Sequence, residues 1–245
     1  MSEFRFDVEG LFDEDYLYFY GESLGARTKA EAELIWCLLE LQPGMEVLDL
    51  ACGHGRIANE LAARGCVLTG LDATPLFLDL ARKEAAARGL AVTYVQGDMR
   101  ALPWTNKFDR VINWFTAFGY FDDAGNRQVI AQVASALRPG GMFALEMNNH
   151  DGVIRGFQAS SVHERDGDLL IDRHTYEPLT GRMITERTIV RGGRIRRVPF
   201  FVRMLTFTEL RDWLTSAGFS MVDGCDEHGD ALTADSRRII TVARL

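Results

Sequence analysis

The hydrophobic positions of the first 150 residues follow a helical spacing in some segments and form short continuous runs in others. Arg27 to Leu41 places Ile35, Leu38 and Leu39 on one face and ends at a Gln-Pro-Gly turn, which predicts a helix. Short apolar runs then alternate with helical stretches: MEVLDL, IANELAARG, CVLTGLD, PLFLDLARKEAAARG, AVTYVQGD, FDRVINWF, a helix over about residues 126–137, and MFALEMN. This alternation predicts a parallel sheet covered by helices on both faces, a doubly wound α/β fold.

The pattern changes to a period of two over residues 158–205, where Asp-Gly, Thr-Gly and Gly-Gly pairs mark hairpin turns. We therefore expect an antiparallel insert of about four strands. A helix follows at TFTELRDWLTSAG, which Thr206 or Thr208 can cap at its start and Gly218 can close at its end. The runs FSMVDGC and RRIITVAR predict two last strands.

Composition and charge narrow the class of protein. A chain of 245 residues that is 47% hydrophobic can form one sizeable core. The net charge of −8 disfavours a polyanion such as DNA as a partner. The four cysteines form no C-x-x-C pair, which fits neither a zinc ribbon nor a disulfide framework. Because the chain shows no signal peptide and no membrane-spanning run, we expect a soluble, cytoplasmic protein without a membrane partner.

The segment VLDLACGHGRIANELA, residues 47–62, predicts a ligand site between a strand and a helix. Gly53-x-Gly55-x-x-Ala58 meets the dinucleotide pattern, and Asp72 follows 19 residues after Gly53, a spacing that suits ribose hydroxyls. At this point a nicotinamide or flavin nucleotide and another adenosine cofactor both remain open.

Three features favour the second alternative. Asp49 precedes the turn, where a pyrophosphate disfavours a carboxylate and a cationic ligand favours it. Asp98, in the segment QGDM after strand three, can accept a hydrogen bond from an exocyclic amine. The segment RPGG, residues 138–141, forms a turn that leads into strand five.

Taken together, VLDLACGHG, TGLDAT, QGDM and LRPGG resemble the class I S-adenosylmethionine-dependent methyltransferases over about residues 43–148. The resemblance implies S-adenosylmethionine as cofactor and a Rossmann-like, mostly parallel seven-stranded sheet with an antiparallel last strand. Ala51 and His54 stand where the family often has glycine and threonine, and alanine costs little there unless φ is positive. The implied contacts are Asp49, Ala51, Gly53 and Gly55 around the methionine part, Asp72 on the ribose diol, Ala73 on the adenine face, and Asp98 with Met99 at the adenine edge.

On this basis we expect a single methyltransferase domain over residues 1–245. Residues 1–42 form an N-terminal lid and helix, residues 43–150 the cofactor-binding core, residues 155–205 the antiparallel β cap inserted after strand five, and residues 206–245 the last helix and β-hairpin.

The end of strand four, NWFTAFGYF, residues 113–121, usually faces the methyl group in this fold. We expect Asn113 and Phe115 to contact the cofactor and Tyr120 to be a candidate catalytic residue. The segment lacks the paired prolines of nucleic-acid adenine methyltransferases and the strand-end aspartate of the magnesium-dependent catechol type. No metal is therefore expected.

Further candidates lie on strand five and in the N-terminal segment. His150 is the histidine best placed to remove a proton, and Glu146 reaches the same end of the sheet. The segment DEDYLYFYGESLGAR is expected to precede the first helix and cover the cofactor, with Tyr20 facing it and Arg27 pairing with its carboxylate. The basic run over residues 187–197 either grips a substrate carboxylate or phosphate or is a solvated strand face.

These features together predict methyl transfer to an amine or hydroxyl of a small molecule, and the layout looks most like N-methyltransferases of amino sugars and related metabolites. O- or C-methylation of a natural product remains open, and so does an NAD(P)-dependent oxidoreductase that uses the same glycine turn. The small-molecule enzyme is expected to be a monomer, or a homodimer formed through the β insert.

Overall fold

The computed structural model describes residues 7–245. In this part of the chain the helices are α1 (Val8–Leu11), α2 (Glu14–Leu38), α3 (Arg56–Ala63), α4 (Pro75–Ala87), α5 (Asp123–Ala136), α6 (His150–Arg155) and α7 (Phe207–Ser216). The strands are β1 (Glu46–Leu50), β2 (Val67–Asp72), β3 (Val92–Gln96), β4 (Phe108–Asn113), β5 (Leu137–Asn148), β6 (Ser160–Arg165), β7 (Asp168–Glu177), β8 (Arg182–Arg191), β9 (Arg194–Arg203), β10 (Met221–Cys225) and β11 (Arg238–Arg244).

Seven strands form one sheet in the order β10-β11-β5-β4-β1-β2-β3. Strands β1 to β5 pair in parallel, and β11 is antiparallel to both of its neighbours. The predicted doubly wound, Rossmann-like sheet and its antiparallel last strand are therefore confirmed. Strand order reverses between β1 and β4, and in such sheets ligands bind outside the carboxyl ends of the strands at this point.

Two hydrophobic clusters cover the two faces of this sheet. One packs α5 and α7 against it through side chains such as Val129, Leu214 and Phe143. The other packs α2, α3 and α4 through side chains such as Ile35 and Leu61. Because both faces are buried, β1, β4 and β5 read as nearly continuous apolar runs.

The second sheet is the antiparallel insert, with strand order β6-β7-β8-β9. Its hairpins fall at the turn signals of the sequence, with Asp166, Gly167, Gly181, Gly192 and Gly193 at positive φ. The insert lies between β5 and α7 in the chain, as predicted.

The N-terminal segment differs from expectation because α2 begins at Glu14 and not near Arg27. Asp13 caps the helix by accepting hydrogen bonds from the backbone N–H groups of Asp15 and Tyr16, and two acidic residues occupy its first turn. Gly21 and Gly25 lie inside this helix, and because glycine disfavours helix they weaken the helical pattern of the sequence before Arg27. The segment expected to precede the first helix is therefore largely helical, and the first six residues of the predicted lid lie outside the described part of the chain.

The start of α7 matches its prediction. Thr206 caps the helix by accepting a hydrogen bond from the backbone N–H of Glu209, whose side chain accepts from the backbone N–H of Thr206. Within residues 7–245 no helix is both long and apolar enough to cross a bilayer.

Candidate active site

A cavity of about 1340 Å³ opens at the carboxyl ends of the parallel strands. The turn after β1, the end of β2 and the segments after β3 and β4 form one side, and α1, α2 and the insert form the other. Of the residues predicted to bind cofactor, those that line the cavity are Asp49, Ala51, Gly53, Asp72, Ala73, Asp98, Met99 and Phe115, and the candidate catalytic residue Tyr120 lines it as well.

The turn after β1 has three residues in left-handed backbone: Ala51 at φ +59°, Gly53 at +55° and Gly55 at +76°. Ala51 therefore carries the strain that glycine would avoid, so the substitution is not cost-free at this position. A Cβ at Gly53 would reach only Phe77, at 3.9 Å, which leaves the backbone open to a ligand. A Cβ at Gly55 would lie 2.3 Å from the hydroxyl oxygen of Tyr94, so Gly55 backs onto packed side chains and lies outside the cavity lining.

Asp49 is a buried acid in the wall of the cavity, with 3% of its surface exposed. Burial, the largest effect, raises the pKa of its carboxyl to about 7; the Arg56 charge lowers the pKa and Asp72 raises it further. Arg56 is itself paired with Glu31. A cation that enters the cavity would therefore favour the ionised form of Asp49.

Asp72 holds the turn in place while still facing the cavity. Its Oδ2 accepts a hydrogen bond from the backbone N–H of Gly53 and its Oδ1 accepts one from Thr74, both at 2.8 Å. Burial raises the pKa of this carboxyl, and the two backbone hydrogen bonds offset part of the effect. Each carboxylate oxygen can accept a second hydrogen bond, which leaves capacity for the two hydroxyls of a ribose.

Asp98 forms an ion pair with Arg100, whose Nη2 lies 2.6 Å from Oδ2. Hydrogen bonds from Arg100 hold the pKa of the Asp98 carboxyl below its usual value. The Arg100 guanidinium also lies over the ring of Phe121, 4.2 Å from its centroid. Arg100 lines the cavity, and no sequence motif had singled it out.

Three further residues predicted to contact the cofactor lie outside the cavity lining. The hydroxyl of Tyr20 accepts a hydrogen bond from Arg187 at 3.2 Å, which directs it to the insert. The Arg27 guanidinium lies over the Phe115 ring at 4.9 Å. Asn113 is completely buried, because its amide donates to the carbonyl of Leu50 at 2.9 Å and ties β4 to β1.

The loop after β4 is strained where it faces the cavity, with Phe115 at φ +62° and Thr116 at φ +52°. Glu146, buried beneath it, accepts a hydrogen bond from the Phe115 backbone N–H at 2.5 Å. Arg238 pairs with both Glu146 oxygens and donates to the Thr116 hydroxyl at 2.8 Å. Glu146 does not line the cavity, so the structure places it where it shapes the loop without contacting a reactant.

His150 lies in a second, smaller cavity of about 460 Å³. Its Nδ1 lies 2.8 Å from a carboxylate oxygen of Asp151 and its Nε2 lies 3.0 Å from the hydroxyl of Tyr176. It does not line the large cavity, although Thr180 and Arg182 line both. His150 therefore lies in the small cavity beside the insert, away from the turn after β1.

Three arginines of the basic run over residues 187–197 form ion pairs with acidic side chains. Arg187 forms hydrogen bonds of 2.8 and 2.7 Å with Asp172, Arg191 lies 2.8 Å from Asp15, and Arg196 pairs with Asp13 and with Asp15. The pairs of Arg191 and Arg196 join the insert to the start of α2, whereas the Arg187–Asp172 pair lies within the insert. Opposite the turn after β1, the large cavity is lined by Val8, Phe12, Tyr16 and Leu24 from the N-terminal helices and by Glu177, Thr180, Arg182, Ile184 and Phe201 from the insert.

Sequence reasoning missed these insert residues. The alternation of β7 to β9 showed that one face would be buried, but it did not show which face meets the cavity.

Comparison with known proteins identifies related sequences and structures. A family model described as a methyltransferase domain matches residues 47–141. A protein of Geobacillus sp. (strain WCH70) whose name describes it as a methyltransferase is 26% identical over 212 residues, 83% of this chain and 85% of that protein. The demethylmenaquinone methyltransferase of Thermus thermophilus is 35% identical over 122 residues, 49% of this chain and 54% of that protein.

Solved structures share the whole architecture. The CcbJ methyltransferase from Streptomyces caelestis has a TM-score of 0.82 at 24% identity and covers 98% of this chain and 99% of its own. CalS10, an amino pentose methyltransferase from Micromonospora echinaspora solved with S-adenosylmethionine bound, has a TM-score of 0.66 at 22% identity, with 100% and 99% covered.

The chain therefore contains a methyltransferase domain over residues 47–141, and its fold is that of solved S-adenosylmethionine-dependent methyltransferases. Its cofactor is S-adenosylmethionine. The resemblance inferred from the sequence motifs is thus confirmed, and the NAD(P)-dependent alternative falls away.

Proposed function

We propose that this methyltransferase transfers the methyl group to an amine or hydroxyl of a small molecule. The observation that carries the proposal is the continuous cavity of about 1340 Å³, which runs from the turn after β1 to the inner face of the insert. A volume of 300–1,000 Å³ holds a typical small ligand, so this cavity has room for the cofactor and a second small molecule. The insert covers the cavity as a cap and limits the size of what enters.

The residues of the turn fit the cofactor. Asp49 is a buried acid in the cavity wall, where burial raises the pKa of its carboxyl, so a cationic ligand would favour its ionised form. The open space at Gly53 forms a cradle that a larger residue would narrow. We propose that these two residues, with Ala51, hold the methionine part, Asp72 the ribose diol, and Ala73, Asp98 and Met99 the adenine. When bound, S-adenosylmethionine supplies an electrophilic methyl group.

The chain's own residues would align the acceptor and exclude water. Effective orientation of two reactants can contribute about 7–11 kcal/mol to lowering a barrier. Phe12, Phe115, Tyr120 and Phe201 line the cavity with aromatic surface, which stabilises a nitrogen centre as it gains positive charge.

Tyr120 is suited to hold the acceptor rather than to remove its proton. Burial, the largest effect, raises the pKa of its hydroxyl to about 12, so at neutral pH the group remains protonated and acts as a hydrogen-bond donor or acceptor. An amine that arrives unprotonated needs no base, which favours nitrogen over hydroxyl oxygen as the acceptor. The amino pentose acceptor of the structurally similar CalS10 supports the same choice.

The first experiment is calorimetric titration of the purified protein with S-adenosylhomocysteine, with Asp72→Ala as the variant. We expect binding that weakens at least about tenfold in the variant, since two hydrogen bonds to the ribose are lost. Production of S-adenosylhomocysteine is then measured with amino sugars and with matched sugars that carry hydroxyl in place of amine. Turnover of the amines alone supports N-methylation; turnover of neither set with intact cofactor binding contradicts the proposed acceptor class.

For the oligomeric state we propose what the sequence predicts, a monomer or a homodimer formed through the insert. On the two edge strands of the insert, β6 and β9, Val162 has 59% and Ile195 has 69% of its surface exposed.

A further inference from the structure

Among the described residues, 7–245, one arginine that faces the large cavity differs from the others because no acidic side chain pairs with it. Arg56 pairs with Glu31, and Arg100 with Asp98. Within residues 7–245 the guanidinium of Arg182 has no ion pair or hydrogen bond, and its Nε is buried without an acceptor. A buried donor without an acceptor is costly unless something else satisfies it.

The position of Arg182 is fixed by packing and not by charge. It is the first residue of β8, and its guanidinium lies over the ring of Phe201 on β9, 4.5 Å from the centroid. Stacking on an aromatic face orients the planar guanidinium and leaves the N–H groups along its edge available to an acceptor. The side chain is therefore preorganised to bind an anion.

Arg182 lies where the large and the small cavity meet, because it lines both together with Thr180. It belongs to the cap, opposite the residues proposed to hold the cofactor. An anion bound here would be part of the acceptor molecule and not the carboxylate of the cofactor.

We infer that Arg182 binds an oxyanion of the acceptor, a carboxylate or a phosphate, so that the acceptor is an acidic small molecule. This inference rests on the proposed function and narrows its substrate class. Three arginines of the basic run, the earlier candidate for this role, are already paired with Asp172, Asp13 and Asp15. Thr180 is also engaged, because its hydroxyl donates to Glu177 at 2.5 Å.

The test measures charge recognition directly, using protein loaded with S-adenosylhomocysteine. Benzoate and its neutral isostere benzamide are titrated calorimetrically, and inorganic phosphate is titrated in a parallel arm. Benzoate has a ring that suits the apolar lining around Arg182, so the comparison isolates the charge. If the acceptor anion is a carboxylate, we expect wild-type protein to bind benzoate at least about tenfold more tightly than benzamide. If it is a phosphate, we expect wild-type protein to bind inorganic phosphate instead.

Arg182→Met and Arg182→Gln should reduce that preference to less than about twofold. Arg197→Met, which removes a charge from an exposed position of the same sheet, should preserve it. Glu177→Gln should increase the affinity for the anion, because Glu177 faces Arg182 across the β7–β8 pair.

Benzoate binding without phosphate binding assigns a carboxylate, and the reverse assigns a phosphate. If neither anion binds, or if both Arg182 variants keep the preference of the wild type, the inference is wrong. Affinity for S-adenosylhomocysteine is measured for every protein as well. If the wild-type protein does not bind S-adenosylhomocysteine, the proposed function itself is contradicted. If it binds S-adenosylhomocysteine normally but recognises neither anion, only the Arg182 inference is contradicted.

Discussion

The acid at the end of β1 links stability to cofactor binding in a testable way. Asp49 has an ordinary carboxyl pKa of 3.8 when exposed, and burial raises it to about 7 in the folded protein. Between these two values the folded state holds more protons than the unfolded state. The free energy of unfolding of the ligand-free protein therefore falls as the pH rises through this interval, and the loss is complete above the folded-state pKa.

The size of the effect follows from the two pKa values. Their separation of about 3 pH units corresponds to about 4 kcal/mol of unfolding free energy at pH 8. Asp49→Asn keeps the shape of the side chain and removes the charge. We expect it to raise the free energy of unfolding at pH 8 by about 2–4 kcal/mol and to change it by less than about 1 kcal/mol at pH 4.

Cofactor affinity should change in the opposite direction. A bound cation stabilises the ionised form of Asp49, so binding of S-adenosylhomocysteine, which carries an ammonium group, should release a proton below pH 7. Its affinity for the wild-type protein should increase with pH up to about 7 and then become constant. Asp49→Asn should bind at least about tenfold more weakly and lose this pH dependence.

Urea denaturation at pH 4, 6 and 8 measures the stability, and calorimetry in two buffers of different ionisation enthalpy measures the proton release. Asp98→Asn is the matched control. That acid is also proposed to contact the cofactor, but Arg100 lowers the pKa of its carboxyl, so its removal should not stabilise the protein at pH 8. If Asp49→Asn is no more stable than the wild type at pH 8, the burial argument fails. Unchanged affinity would show that Asp49 does not face the cofactor.

Other substitutions probe the turn and the loop that faces it. Gly55→Ala would place a Cβ 2.3 Å from a tyrosine hydroxyl oxygen and should lower the free energy of unfolding in urea by about 3 kcal/mol, whereas Gly89→Ala, at φ +66° in open space, should cost about 1 kcal/mol. Equal costs would contradict the packing argument. Ala51→Gly removes the strain of φ +59° and should be neutral or stabilising by up to about 1 kcal/mol in thermal melts; a loss of more than that would refute it. Arg238→Met leaves the Glu146 charge buried and should cost about 3–5 kcal/mol, and Glu146→Gln in the same chain should restore part of the loss in a double-mutant cycle.

The convergence of the three acidic residues on the large cavity was predictable from the sequence. Asp49, Asp72 and Asp98 each follow or end a strand of a parallel sheet, and the carboxyl ends of such strands meet at one edge whatever the helices between them do. The position of each acid at or after the end of a parallel strand is therefore enough to predict that these residues converge. Gly55 shows the limit of this reasoning, because its motif position gave no sign that Tyr94 would pack behind it.

The acceptor side depends on contacts between segments distant in the chain, and patterns within a segment do not encode them. Tyr20 was predicted to face the cofactor, yet Arg187, 167 positions later, binds its hydroxyl at 3.2 Å. His150 follows the end of β5, as expected, but as the first residue of α6 it lies in the small cavity, where the Tyr176 hydroxyl is 3.0 Å from its Nε2. Neither displacement changes the fold, and each changes which residue can touch an acceptor.

The arginines of the insert show why a count of charges predicts binding poorly. A run of basic residues in an acidic chain suggested an anion site, but three of its members are paired, and two of these bind acids at the start of α2. Those pairs secure the cap against the N-terminal helices. Arg182 lies outside the run and was not conspicuous in the sequence, yet it faces the cavity with an unsatisfied donor. Selectivity for an acidic acceptor would therefore depend on the arginine that the fold leaves without an acid, because a paired arginine would have to break its existing bonds before it could bind another anion.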